Sequence, residues 1–141
     1  LLTRYIFKTN RVMQKESFAL SSDQRFPTVT AGDDGTIKVW DLRQRKQYAS
    51  IPAHSNLITQ IKFANSCNPQ NGEFLASSSF DGTGKVWSTR DWKLISTFRG
   101  HEGKVMGIDV LPGDSGLVTC GYDKTLKNGS NIRCTNSILY I

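Results

Sequence analysis

The sequence has 141 residues, of which 38% are hydrophobic, and it carries a formal net charge of +6. This length suits one globular domain with a sizeable core. The basic charge does not indicate a nucleic-acid-binding face, because residues 1–15 carry +4 and residues 124–141 carry +3, which leaves residues 16–123 at −1. We therefore interpret the basic ends as solvated segments.

The cysteines and the N-terminal residues argue against an extracellular protein. Cys67, Cys120 and Cys134 are odd in number and lack the C-x-x-C spacing, which disfavours a disulfide framework and a zinc site. Residues 1–10 are interrupted by Arg4 and Lys8 before an apolar segment of signal-peptide length forms. We expect reduced thiols in a nuclear or cytosolic protein.

Short strands separated by turn residues follow one another along the chain. The predicted strands cover residues 16–22, 28–30, 36–40, 47–51, 57–63, 74–79, 83–87, 93–98, 105–110 and 117–119. A polar loop is predicted over residues 64–73, and a shorter turn at 112–114 takes the same place later in the chain. This succession predicts an all-β fold.

One phrase recurs and sets the period of these strands. Residues 31–41 read AGDDGTIKVWD, residues 78–88 read SSFDGTGKVWS, and a damaged third copy starts at Cys120. The turn aspartates Asp34, Asp81 and Asp123 are separated by 47 and then 42 residues, and the shorter third loop explains the difference. Four strands per unit at this period indicate a repeat architecture in which neighbouring units bury each other's faces.

The repeated phrases resemble the WD-repeat family of β-propellers, whose units open on Gly-His and close on Trp-Asp. Trp40-Asp41 and Gly100-His101 match in full, whereas Ala53-His54 and Trp87-Ser88 match by half. The resemblance implies about three four-stranded antiparallel blades over residues 16–127, which make an incomplete propeller. Residues 1–15 form an atypical N-terminal segment, and residues 128–141 form a tail that does not match the family.

The third unit departs from the family pattern near its end. Asn128 and Gly129 stand where an apolar residue and a Trp are expected, so the repeat is predicted to break after Lys127. A mis-predicted gene model and true divergence would both produce such a break.

Both histidines occupy repeat positions, since His54 and His101 each lie 14 residues after a repeat tryptophan. Within the family, the histidine, a hydroxyl, the turn aspartate and the tryptophan form a buried hydrogen-bonded chain, which the resemblance implies for His54, Ser77, Asp81 and Trp87. The matching positions in the other units are Thr30, Asp34 and Trp40, and His101, Thr119 and Asp123. A repeated position favours a structural task over a catalytic one, so we predict no enzyme activity.

Other chemical motifs fail on residue type or spacing. The stretch Gly82-Thr83-Gly84-Lys85 lacks the first glycine and the final Ser or Thr of a phosphate-binding loop. The segment after His101 lacks the second histidine of a zinc protease, and Asp33-Asp34-Gly35 is too short for a calcium loop. No cofactor and no metal is predicted.

Three further segments resemble the C-terminal repeats of WD-repeat proteins of the spliceosomal U4/U6 small nuclear ribonucleoprotein. They are residues 38–46 (KVWDLRQRK), 51–54 (IPAH) and 100–107 (GHEGKVMG). This resemblance implies a nuclear interaction scaffold for pre-mRNA splicing, which contacts other splicing proteins directly and small nuclear RNA indirectly. Its structural partners would be the missing blades of the propeller or a second copy of the chain. The alternative is a generic WD-repeat reader of peptides or histone tails, or a ubiquitin-ligase substrate receptor.

The residues just before the turn aspartates are candidates for partner binding. They are Asp33, Phe80 and Tyr122, and we expect Asn56 and Lys104 to border the same surface. Two aromatic side chains at positions that burial does not require suit an interface, because aromatic residues carry much of the binding energy there. Packing of both rings on neighbouring blades is the alternative interpretation.

Overall fold

The computed structural model describes residues 17–19, 28–41, 43–64, 74–112 and 116–130. Within them, eleven strands form three antiparallel sheets, which we call blades 1, 2 and 3. Blade 1 contains β1 (Ser17–Ala19), β2 (Thr28–Ala31), β3 (Thr36–Asp41) and β4 (Lys46–Pro52). Blade 2 contains β5 (Ile58–Phe63), β6 (Phe74–Ser79), β7 (Gly84–Ser88) and β8 (Leu94–Phe98). Blade 3 contains β9 (Val105–Val110), β10 (Gly116–Gly121) and β11 (Leu126–Ser130).

The predicted fold class, WD-repeat propeller blades of antiparallel strands, is confirmed. Strands pair in chain order within each blade, as in a meander. In the third unit, β11 stays paired with β10 through Ser130, beyond Lys127, where the side-chain pattern of the repeat is predicted to break. Pairing through backbone groups requires no particular side chain, so Asn128 and Gly129 do not end the strand. The predicted N-terminal segment 1–15, the loop residues 65–73 and the tail residues 131–141 lie outside the described residues.

Alternation of buried and exposed side chains explains why these segments are strands. In β3, Ile37 and Val39 are fully buried, while Lys38 between them points to the other face. The turns before β3 and β7 place Gly35 and Gly82 in the left-handed region, at φ 68 and 83. Lys124 adopts the same conformation, at φ 62, in the third copy of the turn. The hairpin geometry is therefore common to all three blades.

Two hydrophobic clusters join the blades. The first combines Val29, Ala31 and Ile37 of blade 1 with residues of blade 2, including Leu75 and Trp87. The second combines residues of blade 2 with Ile108 and Leu117 of blade 3; its blade 2 members are Ala64, Phe74, Ala76 and Val86. The core of the molecule thus lies between the sheets, and each blade depends on its neighbour for burial.

Polar contacts also cross from blade 2 to blade 3. The backbone N–H of Ile108 donates to Oε1 of Gln60 at 3.0 Å, and the hydroxyl of Thr59 donates to the carbonyl of Val105 at 2.9 Å. Gly107 allows this approach, because a Cβ there would lie 3.0 Å from Cys120 Sγ and 3.1 Å from Gln60 Oε1. The junction is therefore specified by hydrogen bonds as well as by apolar packing.

Backbone hydrogen bonds bring two sets of loops to one end of the blades. The N–H of Phe80 donates to the carbonyl of Leu57 at 2.9 Å, and the N–H of Tyr122 donates to the carbonyl of Lys104 at 2.8 Å. These bonds link the turns that precede β7 and β11 to the loops that follow the two histidines. We call this edge, which also includes the turn before β3, the turn end of the blades.

Candidate functional site

A chain of hydrogen bonds runs through blade 2. Nε1 of Trp87 donates to Oγ of Ser77 at 2.9 Å, and this oxygen lies 2.8 Å from Nε2 of His54. On the other side of the ring, Nδ1 of His54 lies 2.9 Å from Oδ2 of Asp81. The structure therefore brings together the four residues that the resemblance implied.

The pKa shifts assign the protons in this chain. Burial lowers the pKa of His54 from its ordinary value of 6.5 and outweighs the Asp81 carboxylate, which acts in the opposite direction. Burial would raise the pKa of Asp81, but hydrogen bonds from Thr83 and His54 outweigh it and hold that pKa below 3.8. A carboxylate only accepts, so Nδ1–H of neutral His54 donates to Asp81, and Nε2 accepts from the hydroxyl of Ser77.

Blade 3 repeats most of this chain. Nδ1 of His101 lies 2.9 Å from Oδ2 of Asp123, and Nε2 lies 2.9 Å from the hydroxyl of Thr119. Burial would raise the pKa of Asp123, but hydrogen bonds from Thr125 and His101 hold it well below its usual range. The tryptophan is replaced by Gly129, which pairs with Leu117 as Trp87 pairs with Leu75. The third network therefore lacks its indole donor.

Blade 1 keeps the tryptophan end of the hydrogen-bonded chain. Nε1 of Trp40 donates to the hydroxyl of Thr30 at 2.9 Å. The carboxylate of Asp34 accepts from the backbone N–H of Thr36 at 3.0 Å and pairs with Lys38 Nζ at 3.1 Å. The sequence has no histidine at the equivalent position, so the Asp34 carboxylate bonds within its own hairpin.

One recurring member of these networks was not predicted from the sequence. The hydroxyl of Thr83 donates to Oδ1 of Asp81 at 2.6 Å, and the hydroxyl of Thr125 donates to Oδ1 of Asp123 at 2.8 Å. The signal was present, because a threonine follows each turn aspartate by two positions, including Thr36 after Asp34. No buried side-chain N or O atom in the described residues lacks a hydrogen-bond partner. Networks satisfied in this way hold the turns and loops in place.

The space near Gly129 is partly filled from the neighbouring blade. A Cβ on Gly129 would lie 2.7 Å from Cε1 of Phe98, so the aromatic ring rests directly on this glycine. The equivalent of Phe98 in blade 1 is the smaller Ile51, which packs against the cluster that contains Trp87. A shallow cleft beside Phe98 remains between blades 2 and 3, lined by Gly84, Phe98, Arg99, His101, Leu117, Thr119, Lys127, Asn128 and Gly129.

The predicted partner-binding residues lie at the turn end but differ in exposure. Tyr122 is 75% exposed, Asp33 and Asn56 are exposed, and Phe80 is half-buried. Nζ of Lys104, from blade 3, lies 4.4 Å from the centroid of the Phe80 ring. Phe80 therefore contacts its neighbouring blade through a cation, as the alternative interpretation expected for that ring, whereas the Tyr122 side chain projects into solvent.

Comparison with known proteins decides the family. The profile of the WD domain, G-beta repeat, matches residues 12–41, 45–88 and 92–127. The chain belongs to the WD-repeat family. Proteins of this family generally serve as non-catalytic scaffolds, and the repeat networks described above are consistent with that use.

Several WD-repeat proteins are similar to this chain. A p21-activated protein kinase-interacting protein 1-like protein from Xenopus laevis is 29% identical over 77% of the chain. A U3 snoRNP-associated protein-like protein, EMB2271, from Arabidopsis thaliana is 28% identical over 84% of the chain. A U4/U6 small nuclear ribonucleoprotein PRP4-like protein from Arabidopsis thaliana is 41% identical over 59 residues, which are 42% of the chain and 11% of that protein. The chain covers 28% of the Xenopus protein and 23% of EMB2271, about a quarter of each.

Across the described ranges, no group of three or more His, Cys, Asp or Glu side chains could hold a metal ion. The same ranges contain no helix long and apolar enough to cross a bilayer.

Proposed function

We propose that this WD-repeat chain is a protein-interaction platform of a nuclear RNA-processing particle, and specifically of the spliceosomal U4/U6 small nuclear ribonucleoprotein. Its direct partners are other proteins of the particle, and its contact with small nuclear RNA is indirect. The observation that carries the interaction role is the turn end, where Tyr122 is 75% exposed beside the Phe80 and Lys104 pair. Aromatic side chains, tyrosine among them, carry much of the binding energy at protein interfaces.

The relatives support the assignment to RNA processing. The PRP4-like protein is the one with the highest identity among the three described above, at 41% over its matching stretch. The name of the EMB2271 relative, U3 snoRNP-associated protein-like, refers to another RNA-containing particle. Both names suggest a nuclear ribonucleoprotein, and the three segments that resemble U4/U6 repeats favour the splicing particle over others.

The near-neutral charge of the repeat region supports indirect contact with RNA. Residues 16–123 carry a net charge of −1, and the turn end mixes Asp33, Asp34 and Glu102 with its lysines. A surface that binds RNA through phosphates concentrates Lys and Arg on one face. We therefore expect the partner proteins, and not this chain, to contact the RNA of the particle.

The test is co-purification of the tagged chain from nuclear extract, with protein partners identified by mass spectrometry and RNA by sequencing. We expect splicing-particle proteins together with U4 and U6 small nuclear RNAs, and we expect the proteins to remain after RNase treatment. Recovery of chromatin proteins or ubiquitin-ligase subunits would instead support the alternative, a peptide or histone-tail reader or a substrate receptor.

Substitutions at the turn end locate the surface. Tyr122→Ala and Phe80→Ala should each weaken partner binding by about 1 to 3 kcal/mol, since interface aromatics typically contribute this much. Tyr48→Ala is the matched control, because Tyr48 is 71% exposed but lies on β4 of blade 1 and not in one of the turns at the turn end. Lost stability with intact binding in the folded fraction would assign the two rings to the core and contradict this surface.

A further inference from the structure

Blade 3 differs from the other two blades at the edge formed by its last strand. Blades 1 and 2 each have four strands and end at β4 and β8, whereas the described residues of blade 3 form three strands and end at β11. Among these residues, no strand pairs with the outer N–H and C=O groups of β11. An open strand edge of this kind is a template for another extended segment.

The end of β11 corresponds to the ends of β3 and β7. These three strands stop at the same repeat position, which is Asp41, Ser88 and Ser130 in turn. A loop of four residues leads from β3 to β4, and a loop of five residues leads from β7 to β8. A loop of either length after Ser130 would place the start of a fourth strand at Thr135 or Asn136.

The register between the last two strands is the same in blades 1 and 2. The facing residues at one repeat position, fourteen positions apart in each blade, are Ile37 with Ile51 and Gly84 with Phe98. Leu126 holds the corresponding position on β11, and the residue fourteen positions beyond it is Tyr140. In this register, the residue opposite Leu126 is therefore Tyr140.

An apolar residue at this position of the last strand contributes to the junction with the next blade. Ile51 packs against the cluster between blades 1 and 2, and Phe98 packs against the cluster between blades 2 and 3. Tyr140 is similar in type, and residues 138–141 read ILYI, a composition that favours a strand. Leu126 is 73% exposed, so a ring opposite it would remove apolar surface from water.

The exposed position of the last strand also agrees with the sequence after Ser130. Tyr48 and Ile95 lie where the register shifts between the last two strands of blades 1 and 2, and both side chains are exposed. They precede the packed apolar residue by three positions, and the residue three positions before Tyr140 is Ser137. A polar side chain suits an exposed position, so the packed and exposed positions both match.

We propose that residues 136–140 add to the open edge of β11 as the fourth strand of blade 3, antiparallel to it and with Tyr140 opposite Leu126. A short connection favours this segment over a strand from another molecule, because it keeps the local concentration of the segment at the edge high. The edge of blade 3 is then closed to strand addition by a partner, and partners bind to other surfaces. This inference does not depend on the proposed function.

Pairs of introduced cysteines test the register. In the full chain with serine in place of Cys67, Cys120 and Cys134, the pair Leu126→Cys and Tyr140→Cys should form a disulfide within one chain, because facing residues have neighbouring Cβ atoms. Leu126→Cys with Leu139→Cys is the matched control, since adjacent residues of a strand point to opposite faces. A nonreducing gel with peptide mass spectrometry identifies the bond. Absence of the first bond, equal yields from both pairs, or bonds only between chains would overturn the proposal.

Hydrogen exchange of the 141-residue chain provides a measurement that requires no cysteine. Amides of residues 126–130 and 136–140 should be protected together, at every protein concentration. Tyr140→Lys should speed exchange in β11 by about two- to fivefold, the range for one cross-strand pair, whereas exchange in β3 should not change.

Ser137→Lys is the control on the same segment, and it should leave exchange in β11 unchanged because position 137 is exposed in the proposed strand. Unprotected amides in residues 136–140 would overturn the proposal, as would equal effects of Ser137→Lys and Tyr140→Lys. Protection that appears only at high protein concentration would assign the edge of β11 to a second copy and would also overturn it.

Discussion

His54 and His101 hold the same position in consecutive blades, but the network around His101 lacks the tryptophan. Each ring bridges a turn aspartate and a hydroxyl, over distances of 2.8 to 2.9 Å. In blade 2 the hydroxyl also accepts from the indole of Trp87, whereas blade 3 has Gly129 at that position. The pair therefore offers a comparison in which one network is complete and the other is not.

Replacement of each histidine by alanine should reveal this difference. His54→Ala should lower the free energy of unfolding by about 1 to 3 kcal/mol, because the buried hydroxyl of Ser77 and the carboxylate of Asp81 each lose a partner. His101→Ala should cost less, since its network is already short of one member. Urea unfolding of both variants under identical conditions measures the two values. Equal losses would show that the missing indole does not weaken the third network.

Acid should destabilise the chain in two separate ranges of pH. Folding lowers the pKa of His54 below 6.5, so the unfolded chain binds more protons than the folded chain just below that pH, and stability falls as the pH drops. Folding also lowers the pKa of Asp81 and Asp123 below 3.8, so a second loss begins as the pH falls below that value. The urea midpoint, measured between about pH 8 and about pH 3, should show both losses of stability. His54→Ala should remove the first range and reduce the second, because Asp81 then loses a hydrogen bond that lowers its pKa; an unchanged profile in that variant would contradict the assignment.

At the scale of strands, the junction of blades 2 and 3 has the larger of two facing residues on β8 and the smaller on β11. The junction of blades 1 and 2 has the reverse arrangement. Phe98 on β8 covers Gly129 on β11, while the equivalent junction has Ile51 on β4 and Trp87 on β7. The larger ring on one blade thus takes part of the space of the missing tryptophan on the other. This explains why Leu117 and Ile108 stay buried although the repeat has lost its largest side chain.

The exchange predicts strong coupling between the two positions. Gly129→Trp alone should destabilise by about 1 to 3 kcal/mol, because the new side chain collides with Phe98. Phe98→Ile alone should also destabilise, since it enlarges the cleft beside Gly129. The double variant should recover most of the combined loss and restore an indole donor to Thr119. A double-mutant cycle from thermal or urea unfolding gives the coupling, and additive losses would contradict the exchange.

At the scale of the molecule, the far face of blade 3 differs from the same face in blades 1 and 2. Leu126 is 73% exposed, whereas Ile37 at the equivalent position of blade 1 is fully buried by blade 2. Val118 and Cys120, on the same face, are half-buried, while their counterparts Val29 and Ala31 are buried. Within the described residues, this apolar face has no covering blade, although each blade normally depends on its neighbours.

The 141-residue chain in isolation should therefore be marginally stable or self-associating. Analytical ultracentrifugation over a range of concentrations should show mass above that of the monomer, and Leu126→Lys should reduce the association. Leu94→Lys is the control, because Leu94 is exposed on β8, the outer strand of blade 2, and not on this face. A monomer that unfolds cooperatively at every concentration would contradict the prediction. A dimer that pools blades toward a closed ring would satisfy it.

Local sequence determined the strands, the turns and the period of this protein. Alternation such as Ile37, Lys38 and Val39 fixes which face of a strand is buried, and the Asp-Gly pairs supply the left-handed residue that the turns require. Equal spacing then aligned His54 with His101 and indicated their common partners. These features could be predicted because each depends on residues close together in one copy of the repeat.

Only the tertiary structure decided what happens between the blades. The contact of Phe98 with Gly129 and that of Lys104 with Phe80 join residues from different repeats, and their partners follow from the packing of sheets rather than from a period. The continuation of β11 past Lys127 has the same origin, because the backbone of β10 holds the strand where side chains no longer match the family pattern. Sequence periodicity describes what the copies share, whereas a residue that departs from it acquires its role from the neighbour against which it folds.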